Sequence, residues 1–178
     1  MNSWTRRTFL KRTVGVAARG VLAKVARADV NSQIRVATIG LNGRGKTHVG
    51  AFKDNLVALC DCDTMVLGKT AEAFHKRHKR KLDQIVDYRR LLDRKDIDAI
   101  SIATPNHWHA LMTVWACKAG KDVYSEKPLT LTIDEGKHVV KVARETNRIL
   151  QTGSQQRSDP KFRLACELVR NGRVGKLK

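Results

Sequence analysis

Apolar residues along this chain fall into short runs, separated by stretches in which apolar positions recur at helical spacing. The runs are rich in β-branched residues and stop at turn-forming residues, so each run predicts a β-strand. The predicted strands are residues 34–39, 56–60, 84–86, 98–103, 121–125 and 148–152. The predicted helices are residues 46–53, 64–78, 87–92, 106–119, 133–146 and 160–170.

Strands that alternate with helices at this spacing predict the α/β class, with a doubly wound parallel sheet of the Rossmann type. The run at residues 98–103 is apolar almost throughout, as expected of a parallel strand that helices cover on both faces. In such a sheet, ligands bind beyond the carboxyl ends of the strands. The residues that follow each strand are therefore the first place to look for function.

The first strand runs directly into a glycine-rich turn, Gly40-Leu41-Asn42-Gly43-Arg44-Gly45, and the second strand stops at Asp61. Asp61 lies 21 positions after Gly40. A strand, a glycine turn, a helix, a second strand and an acidic residue at this distance together predict a dinucleotide site. Asn42 occupies the position of the second glycine of the usual fingerprint, and the turn can still form because Asn tolerates left-handed backbone angles.

This arrangement suits a pyrophosphate followed by a ribose. Backbone N–H groups at a helix N-terminus can hold the pyrophosphate, provided that no Cβ atom blocks its approach. The carboxylate of Asp61 would accept hydrogen bonds from the adenosine ribose hydroxyls, and its charge would repel a 2′-phosphate. The sequence therefore predicts NAD as the cofactor rather than NADP.

Length and composition predict one soluble domain of ordinary size. The chain has 178 residues, of which 42% are hydrophobic and 29% are charged. Lys and Arg total 35 against 17 acidic residues, and seven of the basic residues lie in the first 28 positions, where no acidic residue occurs. The remainder is still basic and would attract anions non-specifically.

Residues 1–28 are predicted to be a targeting segment outside the fold. Thr5-Arg6-Arg7-Thr8-Phe9-Leu10-Lys11 closely resembles the twin-arginine export signal of bacteria, and Ala26-Arg27-Ala28 has the pattern of a signal peptidase site. Arg19 and Lys24 interrupt the apolar stretch between them, and a basic amphipathic tail is the alternative. We expect a periplasmic protein without a stable membrane anchor, since no other stretch approaches the roughly 20 apolar residues of a membrane span.

The predicted helix at residues 64–78 ends in a basic run, residues 75–81. Such a run can bind nucleic acid phosphates, but no aromatic residues are interleaved for base stacking, and cations suit a helix C-terminus. We interpret it as a solvated helix end, with no specific nucleic acid partner. The apolar face of this helix is predicted to carry Met65, Leu67, Ala71 and Phe74.

Two further polar clusters follow predicted strands. Thr104-Pro105-Asn106-His107-Trp108-His109 comes after the fourth strand, with Asn106 as the predicted N-cap of the next helix. Glu126-Lys127-Pro128 comes after the fifth strand. Because the carboxyl ends of parallel strands share one edge of the sheet, we expect both clusters to face one cleft with the glycine turn and Asp61.

These clusters, together with Gly153-Ser154-Gln155-Gln156-Arg157, resemble the Gfo/Idh/MocA oxidoreductases, whose founding members are glucose-fructose oxidoreductase and inositol dehydrogenase. The likeness covers nearly all of residues 34–178. It implies an NAD(P)-dependent dehydrogenase that transfers hydride from a sugar or polyol hydroxyl to nicotinamide. Export by a twin-arginine signal also occurs in that family.

The resemblance implies roles for individual residues. Lys127 would be the catalytic residue beside the nicotinamide, where it takes or relays the hydroxyl proton while hydride leaves the carbon. A surface cation before a turn proline is the alternative for Lys127. The residues predicted to bind the cofactor are Gly40, Asn42, Gly43, Arg44, Gly45, Asp61, Thr104, Pro105, Asn106, His107, Glu126 and Lys127. Those predicted to contact the substrate are Gln156 and Arg157.

No metal site is predicted. His107 and His109 could form a metal pair, but a third ligand is not evident, and we interpret them as packing or cofactor contacts. The cysteines show no C-x-x-C spacing and are predicted to be buried small apolar residues rather than a disulfide or zinc framework. They are Cys60, Cys62, Cys117 and Cys166.

The resemblance also implies a second domain, a largely antiparallel sheet that carries most of the sugar contacts. Residues 33–152 are predicted to be the NAD(P)-binding Rossmann domain and residues 153–178 the truncated start of the substrate domain, the rest of which is missing. We expect exposed apolar surface along the late helices, and association as a homo-oligomer or with a separate second half.

Three functions remain open from the sequence. The first is an oxidoreductase of a sugar or polyol that is complete only with its second domain. The second is a nucleotide-binding module without chemistry. The third is a glycoside hydrolase that works through transient oxidation, as in a related branch of the family that uses bound NAD.

Overall fold

A computed structural model describes residues 33–176, so the predicted targeting segment lies outside the described residues. The strands are β1 (Val36–Ile39), β2 (Leu56–Cys60), β3 (Asp83–Ile85), β4 (Ala99–Ile102), β5 (Asp122–Ser125) and β6 (Leu150–Thr152). The helices are α1 (Gly45–Ala51), α2 (Thr64–His78), α3 (Arg89–Leu92), α4 (Asn106–Lys118), α5 (Ile133–Glu145) and α6 (Pro160–Arg170). A 3₁₀ turn, Gln155–Ser158, precedes α6.

The six strands form one parallel sheet in the order β3-β2-β1-β4-β5-β6. The predicted doubly wound fold is confirmed. From β1 the chain builds outward to β3, then returns to β4 on the other side of β1 and builds outward to β6. The strand order reverses between β1 and β4, and this is where a sheet of this kind opens a crevice.

The ends of the central strands are aligned. Ile39, the last residue of β1, pairs with Cys60 of β2 and with Ile102 of β4, and Ile102 pairs with Ser125 of β5. The segments that follow these four strands therefore start from one edge of the sheet. This alignment brings the glycine turn, Asp61 and the two polar clusters to one edge of the sheet, as predicted. The expected shared cleft includes residues of the Thr104–His109 cluster but not Glu126, Lys127 or Pro128.

Helices cover both faces of the sheet, and β1 is buried along its whole length. One face packs against α1 and α2 and the other against α4 and α5. The α2 residues in the core are Leu67, Ala71 and Phe74, as predicted, but the prediction for Met65 was wrong, since its side chain is 65% exposed. Two residues advance an α-helix by about 200°, so Met65 points away from Leu67 and from the sheet.

The helix boundaries follow from local capping, with one correction. The Asp63 carboxylate caps α2 by accepting hydrogen bonds from the backbone N–H groups of Met65 and Val66. At α4 the predicted cap was wrong, because Asn106 is the first helical residue and Pro105 holds the cap position without a side-chain hydrogen bond. A residue already inside the helix cannot fold its side chain back onto the first free N–H groups.

The last helix has no buried residue within the described chain. Phe162 and Leu164 of α6 are 54% and 56% exposed, and Leu168 and Val169 are also exposed. The predicted exposure of apolar surface along the late helices is therefore confirmed for α6. Within residues 33–176, none of the helices combines the length and the apolar character that a membrane span requires.

Candidate functional site

A cleft of about 810 Å³ opens at the carboxyl ends of β1, β2 and β4. Its walls come from residues 39–43, from residues 60–63 after β2, from residues 86–89 after β3, and from residues 103–105 after β4. Val66 of α2 and Trp108 and Met112 of α4 complete it. The cleft lies at the point where the strand order reverses.

Three glycines shape the turn between β1 and α1. Gly40 and Gly43 have φ angles of +82° and +58°, which side-chain-bearing residues rarely adopt. A Cβ atom on Gly45 would lie 1.9 Å from the Gly40 carbonyl oxygen, so only glycine allows this close approach. A Cβ atom on Gly43 would meet nothing within 4 Å. The turn is therefore closed on its inner side at Gly45 and open at Gly43, which lines the cleft.

The turn also presents free backbone donors. Among the described residues, the N–H groups of Asn42 and Arg44 have no acceptor, whereas the Gly43 N–H donates to the Asn42 side chain. Because α1 has only seven residues, these loop N–H groups rather than a long helix would hold an anion. The geometry fits the diphosphate of a dinucleotide.

Asp61 follows β2 and lines the cleft beside the glycine turn. One carboxylate oxygen accepts a hydrogen bond of 2.8 Å from the Leu41 N–H, and the other accepts one of 3.0 Å from the Asp63 N–H. A carboxylate has about four acceptor positions, so Asp61 can still accept bonds from a ribose. Asp61 thus braces the glycine turn in addition to facing the cleft, a contact that sequence reasoning did not anticipate.

Aromatic rings line part of the cleft. The ring of Tyr88 lies 6.3 Å from that of Trp108 and 6.0 Å from that of Trp115. Tyr88 and Trp108 line the cleft, and burial raises the pKa of the Tyr88 hydroxyl. The cleft therefore offers apolar surface suited to a flat ring.

His109 ties two of the loops together. The side chain is 1% exposed, with Nδ1 2.7 Å from the Pro128 carbonyl oxygen and Nε2 2.8 Å from the Thr104 carbonyl oxygen. Both ring nitrogens face backbone carbonyls, so the interpretation of His109 as a packing residue is confirmed. His107, in contrast, is exposed beside Trp108.

A polar cluster, which we call the Glu126 cluster, joins the glycine turn to the neighbouring strands. It comprises the buried residues His48, Ser101 and Glu126 and the more exposed residues Arg44 and Gln155. His48 Nε2 is 3.0 Å and Arg44 Nε is 3.1 Å from the same Glu126 oxygen, Oε1. His48 Nδ1 is 2.6 Å from Ser101 Oγ. His48 and Glu126 are 4% and 5% exposed. With its amide oxygen turned toward Arg44, Gln155 accepts a second bond from that guanidinium.

The Glu126 carboxylate is held ionised by its neighbours. Burial favours the neutral acid, but hydrogen bonds from His48, from Arg44 and from the Lys127 backbone N–H together outweigh it and lower the pKa of Glu126. A Cβ atom on Gly153 would lie 3.1 Å from Glu126 Cδ, so a glycine there lets the chain after β6 pass close to the carboxylate.

Lys127 is exposed at the same edge of the sheet, beyond β5. Its backbone N–H donates to Glu126 Oε2 at 3.2 Å, and the Lys127–Pro128 peptide bond is cis. Its side-chain amine has no hydrogen-bond partner within the described part of the chain. Lys127 is therefore anchored through its backbone, while its amine remains available.

The predicted cofactor residues divide into two groups. Those that line the cleft are Gly40, Asn42, Gly43, Asp61, Thr104 and Pro105. Those outside its lining are Arg44, Gly45, Asn106, His107, Glu126 and Lys127. The predicted substrate residues, Gln156 and Arg157, lie exposed on the 3₁₀ turn. That turn adjoins the Glu126 cluster through Gln155.

His48 and Ser101 were not singled out from the sequence. A histidine between Thr47 and Val49 carries no motif, and a serine inside an apolar strand is common. The one available signal was spacing, since His48 lies one helical turn after Arg44 and both can therefore reach the same group.

The prediction for the cysteines was correct for two of the four. Cys60 and Cys117 are buried, whereas Cys62 and Cys166 are exposed. Cys62 lies beyond the end of β2 in the cleft, and Cys166 lies on the uncovered helix α6. Within residues 33–176, no three side chains of metal-binding type come together.

A doubly wound parallel sheet with a glycine-turn cleft at its switch point defines the dinucleotide-binding proteins of the Rossmann class. Residues 34–154 match the GFO_IDH_MocA family, described as an oxidoreductase family with an NAD-binding Rossmann fold. The chain belongs to this family, and its fold is the NAD-binding oxidoreductase fold of that family.

Curated relatives include glycosyl hydrolases. The chain is 30% identical over 206 residues to "Glycosyl hydrolase family 109 protein 1" of Shewanella sp. (strain ANA-3), covering 99% of this chain and 45% of that protein. It is 29% identical over 206 residues to an alpha-N-acetylgalactosaminidase of Shewanella oneidensis, with the same coverage of 99% and 45%. The chain thus spans less than half the length of these relatives.

Similar solved structures include inositol dehydrogenases. Myo-inositol 2-dehydrogenase from Lactobacillus plantarum matches with 32% identity and a TM-score of 0.68, over 82% of this chain and 43% of that one. Scyllo-inositol dehydrogenase from Lactobacillus casei, solved with bound NAD(H) and scyllo-inositol, matches with 26% identity and a TM-score of 0.69, over 82% and 43%.

Proposed function

We propose that this chain is the NAD-binding and proton-transferring part of an oxidoreductase that acts on a hydroxyl of a sugar or polyol. The observation that carries the proposal is the shared edge of the sheet, where the cleft with its open glycine turn and Asp61 lies on the same side as Lys127. The match to inositol dehydrogenases supports the substrate class. Because the chain spans less than half of these relatives, the activity of the whole protein is part of the proposal.

The cleft fits the cofactor from the diphosphate to the ribose. The free N–H groups of Asn42 and Arg44 would hold the diphosphate, and Asp61 would accept bonds from the adenosine ribose. Thr104 and Pro105 would border the nicotinamide half, with Asn106 and His107 just beyond them. The negative charge of Asp61 favours NAD over NADP, since a 2′-phosphate would approach a second anion.

Lys127 would move the proton. When bound, the nicotinamide accepts a hydride from the carbon that carries the hydroxyl. Lys127 Nζ, free of partners within the described residues, would take the hydroxyl proton or pass it to solvent. Glu126 fixes the backbone at Lys127, and Gln156 and Arg157 would contact the substrate from the neighbouring 3₁₀ turn.

The second candidate is a glycoside hydrolase that begins with the same oxidation. The glycosyl hydrolase and alpha-N-acetylgalactosaminidase names of two relatives favour it. Both candidates need NAD, the cleft and Lys127. They differ in whether hydride returns to the sugar after a glycosidic bond breaks. With NAD present, net NADH formation from myo-inositol supports the dehydrogenase, whereas release of N-acetylgalactosamine without net NADH supports the hydrolase.

The cofactor part of the proposal is tested by calorimetric titration of the chain with NAD and with NADP. We expect saturable NAD binding that is stronger than NADP binding. Asp61→Asn should abolish this preference, because it removes the charge while keeping an acceptor for the Leu41 N–H. Asp63→Asn is the matched control, since it removes a neighbouring cleft charge and retains a good helix cap. Equal preferences in all three proteins would contradict the role of Asp61.

We also propose that the protein is periplasmic, exported by the twin-arginine route. The sequence Thr5-Arg6-Arg7-Thr8-Phe9-Leu10-Lys11 supports it. The test is cell fractionation of the wild type and of a variant in which Arg6 and Arg7 are both Lys, which keeps the charge. Retention of the variant in the cytoplasm is the expected result, and unchanged export of the variant would contradict the proposal.

A further inference from the structure

His48 has no part in the proposed chemistry. It lies on α1 behind the glycine turn, is 4% exposed, and does not line the cleft. The rings of Phe52 and Tyr124 pack edge-on against it at 6.3 and 5.3 Å. A buried imidazole with both nitrogens within hydrogen-bond distance of side chains, rather than of cofactor or substrate, needs another explanation.

The hydrogen bonds of His48 have a defined direction. Glu126 is ionised, and a carboxylate can only accept, so His48 Nε2 carries a hydrogen and donates to Oε1. His48 Nδ1 faces the hydroxyl of Ser101, which is fully buried in the middle of β4. The imidazole therefore contacts Ser101 in the centre of the sheet through Nδ1 and orients the Glu126 carboxylate through Nε2.

The carboxylate passes this constraint to Lys127. Its second oxygen, Oε2, accepts the Lys127 backbone N–H at 3.2 Å. Fixing Oε1 fixes the plane of the carboxylate and hence the position of Oε2. Arg44 binds the same Oε1, but its side chain is 44% exposed and is shared with Gln155, so it is the weaker restraint.

We propose that His48 is a positioning residue for Lys127, acting through Glu126. The chain of contacts runs from Ser101 to His48, from His48 to Glu126 Oε1, and from Glu126 Oε2 to the Lys127 N–H. This inference rests on the proposed function, in which the Lys127 amine meets the reacting hydroxyl. A displacement of about 1 Å at such a group is enough to slow a reaction severely.

Two substitutions of His48 distinguish the contact made by Nε2 from the contact made by Nδ1. In His48→Gln the amide nitrogen takes roughly the place of Nε2 and can still donate to Glu126. In His48→Asn the shorter amide reaches the Ser101 side but not Glu126. Both variants put a neutral amide in the same buried site, so a general packing defect would affect them alike. A direct effect through Glu126 appears only in the Asn variant.

The readout is the backbone amide of Lys127 in the full chain labelled with ¹⁵N-lysine. The Lys127 resonance is identified by its loss in Lys127→Arg, and the amide of Lys137 on α5 serves as the internal reference. In His48→Asn we expect hydrogen exchange at Lys127 to accelerate roughly tenfold, with an upfield amide proton shift, as for a lost charge-assisted hydrogen bond. In His48→Gln the rate should stay within about twofold of the wild type, and Lys137 should not change in either variant.

Unchanged exchange at Lys127 in His48→Asn would overturn the proposal, and so would equal acceleration in both variants. If His48→Asn does not fold, Ser101→Ala takes its place. It removes the partner that orients the ring, and we expect an acceleration of about threefold at Lys127. No acceleration in Ser101→Ala would then overturn the proposal.

Addition of NAD to the wild type distinguishes this proposal from the proposed function. A shift of the Lys127 amide on saturation supports placement of Lys127 beside the cofactor. If NAD produces no shift while the contrast between the Gln and Asn variants holds, the proposed function fails and the link from His48 to Lys127 stands. If NAD produces the shift but the contrast is absent, the reverse conclusion follows.

Discussion

Gly45→Ala is the substitution whose effect the structure defines most sharply. The new Cβ atom would lie 1.9 Å from the Gly40 carbonyl oxygen, about 1.5 Å closer than the 3.4 Å at which ordinary contact begins. No rotamer change can relieve this overlap, because the backbone fixes the position of a Cβ atom and its partner is a backbone oxygen. Gly40 also lies close to the Ala103 backbone, since a Cβ atom on Gly40 would be 2.7 Å from it, so movement of Gly40 toward Ala103 is blocked.

The expected cost combines overpacking with displacement of the turn. Forcing a methyl group into a closed site costs about 1–3 kcal/mol, and we expect the upper end because the obstacle is backbone. In a chain of this size, about 3 kcal/mol corresponds to a fall in Tm of about 6–12 °C. Displacement of the Asn42 and Arg44 N–H groups should also weaken NAD binding at least tenfold, which is about 1.4 kcal/mol.

Gly50→Ala is the matched control in the same helix. A Cβ atom on Gly50 meets nothing within 4 Å, so alanine should raise stability by about 0.5–1 kcal/mol through its helix propensity. Urea unfolding followed by circular dichroism gives the two free energies, and calorimetry gives the two NAD affinities. If Gly45→Ala matches Gly50→Ala in both measurements, the close approach of Gly45 to Gly40 does not exist in solution.

Three further predictions concern buried groups. Burial, followed by nearby carboxylates, raises the pKa of the Cys60 thiol to about 12. A thiol reagent at neutral pH should therefore label the exposed Cys62 and leave Cys60 unmodified until the chain unfolds. Mass spectrometry of the labelled native chain checks this. His109→Ala removes the buried imidazole whose nitrogens lie within hydrogen-bond distance of the Pro128 and Thr104 carbonyls, and it should lower the unfolding free energy by about 1–3 kcal/mol. An unchanged urea midpoint would contradict these contacts. The folded pKa of Glu126 lies below its ordinary value of 4.5, so its contribution to stability is present above that value and is lost as pH falls through the folded pKa. The stability difference between wild type and Glu126→Gln should therefore shrink on acidification, and a difference that is independent of pH would refute this assignment.

Much of the fold was predictable because periodicity reports burial directly. Within residues 33–176, the six strands and six α-helices were all predicted, with boundaries shifted by a few residues at most. The glycine turn and Asp61 could be placed at one cleft because aligned parallel strands leave no other arrangement. The errors concern local detail. At Asn106, for example, the helix begins one residue earlier than predicted, so the predicted N-cap is the first helical residue.

The Glu126 cluster could not be predicted in the same way. It joins α1, β4 and the segments after β5 and β6. Such contacts depend on how these elements pack against one another, which sequence periodicity does not specify. Nothing near His48 indicates that its ring reaches Ser101, which is 53 positions away. The sequence motif drew attention to Glu126 and Lys127 but did not reveal what holds them.

The double use of Asp61 restricts how the cofactor preference of this chain can change. The same carboxylate that faces the ribose also ties Leu41 and Asp63 to the end of β2. Replacing it with a small neutral residue to admit a 2′-phosphate would remove that tie in the same step. A mutational path from NAD to NADP must therefore first acquire a substitution that steadies the turn, or pass through an intermediate that binds both cofactors poorly.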